Sequence, residues 1–115
     1  IDVWGTGSAV REWLYVQDFA KILYRIIVNK ELQKKITSPI NVAQNSGLSI
    51  KELVDLINKN YNNFFLLEYD VSKPDGAPKK IMDDTKFRSI FDDFIFENFE
   101  TGIKNTINHY ESIHP

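Results

Sequence analysis

The chain contains no cysteine. That excludes a disulfide framework, a thiolate metal site and a cysteine nucleophile. It also fits a reducing compartment, so a cytoplasmic location is the expectation. There is no basic excess, since 14 Lys and Arg face 16 Asp and Glu. A general nucleic-acid binder would show one, so no nucleic-acid partner is expected. No stretch approaches the ~20 apolar residues of a membrane-spanning helix. The densest apolar run, Phe19 to Val28, is interrupted by Lys21 and Arg25, and no membrane partner is expected. The two histidines, His109 and His114, lack any ligand cluster around them, and H-E-x-x-H is absent. No metal site follows from them, and both read as solvent-exposed. No signal peptide is visible, and the first residue is Ile1 rather than Met. The natural start is expected upstream.

What is present supports a folded unit. Hydrophobic residues make up 43% and aromatics 13% of 115 residues, enough for a core in one domain or one part of a larger protein. Strand-like and helix-like segments alternate. "IDVWGTGS" reads as an entering segment and a loop turning on Gly5 and Gly7. "REWLYV", Arg11 to Val16, reads as a short extended piece, with Asp18 as the N-cap of a helix running to about Asn29. Phe19, Ile22, Leu23, Ile26 and Ile27 mark its buried face. "NKELQKK" reads as a polar connector and "PINVA" as a strand. Ser49 and Glu52 form the S-x-x-E capping box of a helix carrying Leu53, Leu56 and Ile57 inward. "FFLLEY" reads as a strand buried on both faces. A third helix covers "TKFRSIF", and a fourth begins near Asn98 with Phe99, Ile103, Ile107 and Tyr110 at helical spacing. The fold class expected is mixed, α/β or α+β, as one unit over residues 1–115.

Most catalytic patterns fail on inspection. "GTG" at 5–7 would need a third glycine at Val10, so it is a turn rather than a dinucleotide fingerprint. "YDVSK" supplies a Tyr69-x-x-x-Lys73 pair, but Pro74 disfavours helical geometry at Lys73, so the ammonium cannot be set beside the phenol. "DDFIFENF" reads as core packing. No catalytic residue is assigned.

Two stretches remain. "VREWLYVQDFAKI" places Arg11 before an aromatic run, and "SKPDGAPKK" places Lys79 and Lys80 after a turn built on Pro74, Asp75-Gly76 and Pro78. A guanidinium fork and an ammonium together can clamp a diphosphate. Solvated surface cations are the plainer alternative.

In order and spacing, "VWGTGSAVREWLYVQDFAKI", "INVAQNSGLSIKELVDLI" and "SKPDGAPKKIMD" resemble the C-terminal part of extended short-chain dehydrogenases acting on nucleotide sugars. These are enzymes of the NAD-dependent epimerase/dehydratase family. The S-K-P-D-G-x-P-[RK]-K pattern is most similar to its GDP-L-fucose synthase branch. UDP- and dTDP-sugar epimerases or dehydratases of the same group are the near alternative, and a stand-alone binding module the distant one. The family usually reads Asn-Val-Gly-x-Gly where this chain has Asn41 to Asn45, which alters a turn.

The resemblance implies a substrate-binding lobe for a nucleotide-diphosphate sugar. Arg11 and Lys80 would contact the diphosphate from two sides, and Trp4 would lie near the nucleotide. It also implies that NADP or NAD, the glycine-rich turn and the catalytic tyrosine belong to an N-terminal Rossmann domain of ~200 residues not included here. The lobe alone would be inactive, and the full-length enzyme is a possible homodimer.

Overall fold

The computed structural model describes residues 1–114. Helix α1 spans Val16–Val28 and α2 spans Lys30–Lys35. Helix α3 spans Ile50–Asn60, α4 Thr85–Ile90 and α5 Phe99–Ile113. The strands are short: β1 Asp2–Trp4, β2 Val10–Arg11, β3 Leu48–Ser49, β4 Glu68–Asp70 and β5 Lys79–Lys80. The mixed α/β class is as expected.

The capping chemistry sets several boundaries. Ser49 accepts from the Glu52 N–H while the Glu52 carboxylate accepts from the Ser49 N–H, completing the capping box of α3. Asn98 caps α5 by accepting from the N–H groups of Glu100 and Thr101. Asn29 ends α1 and also caps α2, accepting from Glu31 and Leu32 N–H. The segment expected as a polar connector is therefore helical: one asparagine side chain satisfies two orphan donors, and Leu32 is buried.

Asp18 is not an N-cap. The Tyr15 carbonyl already accepts from the N–H groups of Asp18 and Phe19, so the helix starts before it. The Asp18 carboxylate is instead buried, accepting from Glu97 N–H at 2.7 Å and from Lys21 at 3.0 Å. The expected extended piece at 11–16 shrinks to Val10–Arg11. Beyond Arg11, side chains replace the backbone ladder: the Glu12 carboxylate takes the N–H of Met82 at 2.9 Å and that of Gln44, and the Gln44 amide donates to the Trp13 carbonyl at 2.8 Å. Residues 39–43 form no ladder among the described residues. Ile40 and Val42 pack against the core from an irregular segment.

Two small sheets result. In one, β1 pairs parallel to β4, with Val3 opposite Tyr69. In the other, β2 lies between β3 and β5, antiparallel to the first and parallel to the second. The segment expected as a doubly buried strand at 64–69 is ladder-paired only from Glu68, and Phe64 is 82% exposed. The buried Asn58 side chain holds Phe65 through both its N–H and its carbonyl, each at 3.0 Å. That local clasp takes the backbone groups a ladder would have used.

The core joins Ile22 and Leu32 to Phe87, Phe91 and Phe94, with Ile26, Ile90 and Phe96 against it. Phe87 stacks on Phe91 at 5.1 Å, and Phe94 meets Phe96 edge-on at 5.0 Å. Alternation in "DDFIFENF" is core packing, as expected: Ile95, between the two rings, is 88% exposed. The expected apolar face of α1 is buried only at Ile22 and half-buried at Ile26. Phe19, Leu23 and Ile27 remain exposed, Ile27 the most at 72%.

Candidate functional site

The turn before β5 is held at every step. Asp70 begins it by accepting from Ser72 N–H and hydroxyl at 3.1 and 2.5 Å. Asp75 then reaches across to the loop after β1. Its two carboxylate oxygens accept from Thr6 N–H and the Thr6 hydroxyl, each at 2.7 Å. Glycine is required opposite: Gly5 has φ +80°, and a Cβ there would lie 2.3 Å from Asp75 Oδ1. Gly76, at φ +75°, reverses the chain, and the Val10 N–H donates to the Pro78 carbonyl at 2.9 Å as β5 joins β2.

Arg11 closes the turn from the other side. Its Nη1 donates to the carbonyls of Val10 and Ala77 at 2.8 Å, and Nη2 donates to that of Asp75 at 3.4 Å. The sequence reading treated this guanidinium as a ligand for phosphate alone. It also braces the loop that carries the lysines. Nη1 and Nη2 are both engaged in this way, whereas Nε–H makes no hydrogen bond among the described residues.

Arg11 and Lys80 are register partners on adjacent parallel strands. Such neighbours stand on one face of a sheet with strands about 5 Å apart. Lys80 is exposed and makes no hydrogen bond or ion pair among the described residues, whereas Lys79 pairs with Val10 and stands on the opposite face. Two basic residues from points distant in the chain are thus register partners on adjacent strands.

Trp4 sits on the other sheet, at the end of β1, and is 72% exposed. Lys73 Nζ lies 5.6 Å from its ring centroid. With Asp2, Glu68, Tyr69 and Asp70 it borders a depression of about 350 Å³. The loop at 5–8, tied down by Asp75, connects this sheet to the Arg11–Lys80 face. A larger cavity of about 390 Å³ lies between α3 and α5, bounded by Trp13, Leu53, Ile57, Ile103 and Ile107. No lysine or arginine lines it, so it offers a phosphate no countercharge.

Tyr69 and Lys73 are not a catalytic pair. The Tyr69 hydroxyl is buried without a partner, and burial, then Asp55, pushes its pKa above the ordinary tyrosine value. A proton shuttle needs the opposite shift. His109 and His114 are exposed, and no cluster among the described residues could hold a metal ion.

Sequence reading missed Asp75, Thr6 and Glu12. The signal available for Asp75 was its place in "KPDG", but its partner lies 69 residues away. The altered turn at 43–45 is accommodated. Asn45 adopts φ +53°, a left-handed conformation that asparagine tolerates, in the place of a family glycine. Ala43 is fully buried.

The chain is similar to known proteins along most of its length. The NAD dependent epimerase/dehydratase family profile matches residues 1–43. GDP-L-fucose synthase of Escherichia coli is 33% identical over 93 residues, covering 76% of this chain and 29% of that protein. That of Azorhizobium caulinodans is 31% identical over 96% of this chain and 34% of its own length. The crystal structure of a GDP-L-fucose synthetase from Naegleria fowleri bound to NADP superposes with a TM-score of 0.82 at 27% identity, over 98% of this chain and 35% of that one. The chain therefore spans about a third of the length of these relatives. From its matched motifs, its relatives and its backbone, the chain belongs to the NAD-dependent epimerase/dehydratase family.

Proposed function

We propose that these residues form the nucleotide-sugar-binding part of an NADP- or NAD-dependent epimerase/reductase that acts on a GDP-4-keto-6-deoxyhexose. The observation carrying this reading is the register pairing of Arg11 with Lys80. It gives a diphosphate a guanidinium edge and an unpaired ammonium on one face. Trp4, exposed on the adjoining sheet, offers a ring surface toward the nucleoside. The relatives named as GDP-L-fucose synthases favour guanosine diphosphate as the carrier.

In this reading the chain supplies orientation. Fixing remote phosphates restricts the sugar's position, so its reacting carbon is presented to the chemistry instead of searching for it. The nicotinamide, held by polypeptide outside these residues, supplies the hydride. No residue here is assigned a proton-transfer role, and residues 1–115 alone are expected to turn over no substrate. The exposed apolar stripe of α1, with Phe19, Leu23 and Ile27, supports a further domain packing on this unit.

Calorimetric titration of GDP into the full chain tests the reading. Lys80→Ala is the cleaner variant, because Lys80 holds nothing else in place; Arg11→Lys keeps charge but loses the fork. Each is expected to weaken GDP roughly ten- to a hundredfold, the loss of one charged hydrogen bond. Wild-type affinity in both variants sinks the assignment. Tighter binding of UDP or dTDP than GDP overturns the choice of nucleotide and leaves the clamp.

A further inference from the structure

β2 and β5 have two residues each, so the ladder that sets Lys80 opposite Arg11 is short. Such a pairing is weak on its own. Its upstream end is closed by the Val10 N–H on the Pro78 carbonyl and by Arg11 on the Ala77 carbonyl. Its downstream end is closed by Glu12, which follows β2 directly. Oε2 of Glu12 accepts from the Met82 N–H at 2.9 Å, two residues beyond Lys80. Oε1 accepts from the Gln44 N–H, in the segment that leads to β3. That segment is fastened to the same stretch twice more. Gln44 Nε2 donates to the Trp13 carbonyl at 2.8 Å, and Trp13 Nε1 donates to the Leu48 carbonyl at 3.4 Å. Gly47 permits the approach, since a Cβ there would lie 2.3 Å from the Arg11 carbonyl oxygen and 2.7 Å from Ile81 Cδ1. One half-buried carboxylate thus joins backbone groups 32 and 70 residues away.

We propose that Glu12 is a positioning residue: by holding the Met82 and Gln44 N–H groups at once, its carboxylate keeps β5 in the register that sets Lys80 opposite Arg11 for phosphate binding. The inference rests on the proposed diphosphate reading but is separable from it. Glu12 is not itself a ligand for phosphate, because a carboxylate next in sequence to Arg11 repels an anion there. The sign of its effect is therefore diagnostic. Were the carboxylate only a nearby charge, neutralising it would tighten GDP. As a brace it acts the other way: an amide in its place weakens GDP, since one of its two ends becomes a donor facing an N–H. Aspartate keeps the charge but is one methylene shorter and cannot span both N–H groups.

The experiment measures GDP by calorimetry and guanosine by competition against it. It uses the full chain carrying Glu12→Gln, Glu12→Asp, Lys80→Ala or the double change Glu12→Gln/Lys80→Ala. Glu12→Gln and Glu12→Asp are each expected to weaken GDP about three- to tenfold, the effect of one lost hydrogen bond. Guanosine has no phosphate for Lys80 to hold, so its affinity is expected to stay at the wild-type value in both. The double variant binds GDP within about twofold of Lys80→Ala, since a misplaced lysine matters only while the lysine is there. Wild-type or tighter GDP binding in Glu12→Gln, with Lys80→Ala weakened, overturns the brace and leaves the grip standing. Equal losses for GDP and guanosine make Glu12 a general support of the fold and overturn its positioning role, as do additive losses in the double variant. An unaffected Lys80→Ala removes the grip and the brace with it. Should Glu12→Gln fail to fold, Glu12→Asp decides: wild-type GDP affinity in it is fatal to the brace.

Discussion

Asp75 behaves as its surroundings dictate. The Thr6 hydroxyl, then the Thr6 N–H, with help from the Gly7 N–H, hold its carboxyl below the usual aspartate range, against a smaller opposing effect of desolvation. Tyr69 illustrates the reverse case. Its hydroxyl is buried with no partner, so it has lost water without compensation. Removing it leaves the ring packing intact and abolishes an unsatisfied group. Tyr69→Phe is therefore expected to melt at the same temperature as the parent or higher. A fall of several degrees in a thermal melt contradicts this and gives the hydroxyl a role.

At the scale of elements, the capping box of α3 is the most self-contained device in the chain. Ser49→Ala is expected to cost about 1 kcal/mol in denaturant unfolding, the usual loss for a deleted cap. Glu52 adds a pH signature. Bonds from the Ser49 N–H and then the Ser49 hydroxyl hold its carboxyl below the ordinary range. A depressed folded-state pKa gives stability that is present above the unfolded value of about 4.3 and lost as pH falls through the folded one. Glu52→Gln should flatten that acid limb, and an unchanged limb refutes the box as its source. This element was legible because both partners lie within one turn. The start of α1 was not: Asp18 has the right residue type for a cap, yet Tyr15 begins the helix. The Asp18 carboxylate is drawn to Glu97 N–H, which is 79 residues away.

For the whole molecule, shape and surface agree. The radius of gyration is 17.0 Å, well above the ~13 Å of a self-contained domain of about 100 residues. Apolar side chains along one stripe of α1, including Ile27 at 72% exposure, face solvent. Apolar area left in water forfeits roughly 25 cal/mol per Å² of stabilisation. Residues 1–115 produced alone should bind a hydrophobic dye and melt well below the full chain. Dye binding no stronger than in the full chain speaks against a covering domain.

Periodicity and local chemistry alone determined the mixed class, the capped helices α3 and α5, the core role of the alternating phenylalanines and the exposed histidines. Each depends on residues within a turn or two of one another. The candidate cations were also legible as types, since only arginine and lysine offer those donors. Their pairing across adjacent strands was decided by tertiary structure. So were the brace Arg11 makes on the turn, the Asp75–Thr6 contact and the failure of 39–43 to become a strand. In each of these the partner lies tens of residues away or is missing, and a backbone or carboxylate group goes to whichever donor the folded chain brings within hydrogen-bond reach.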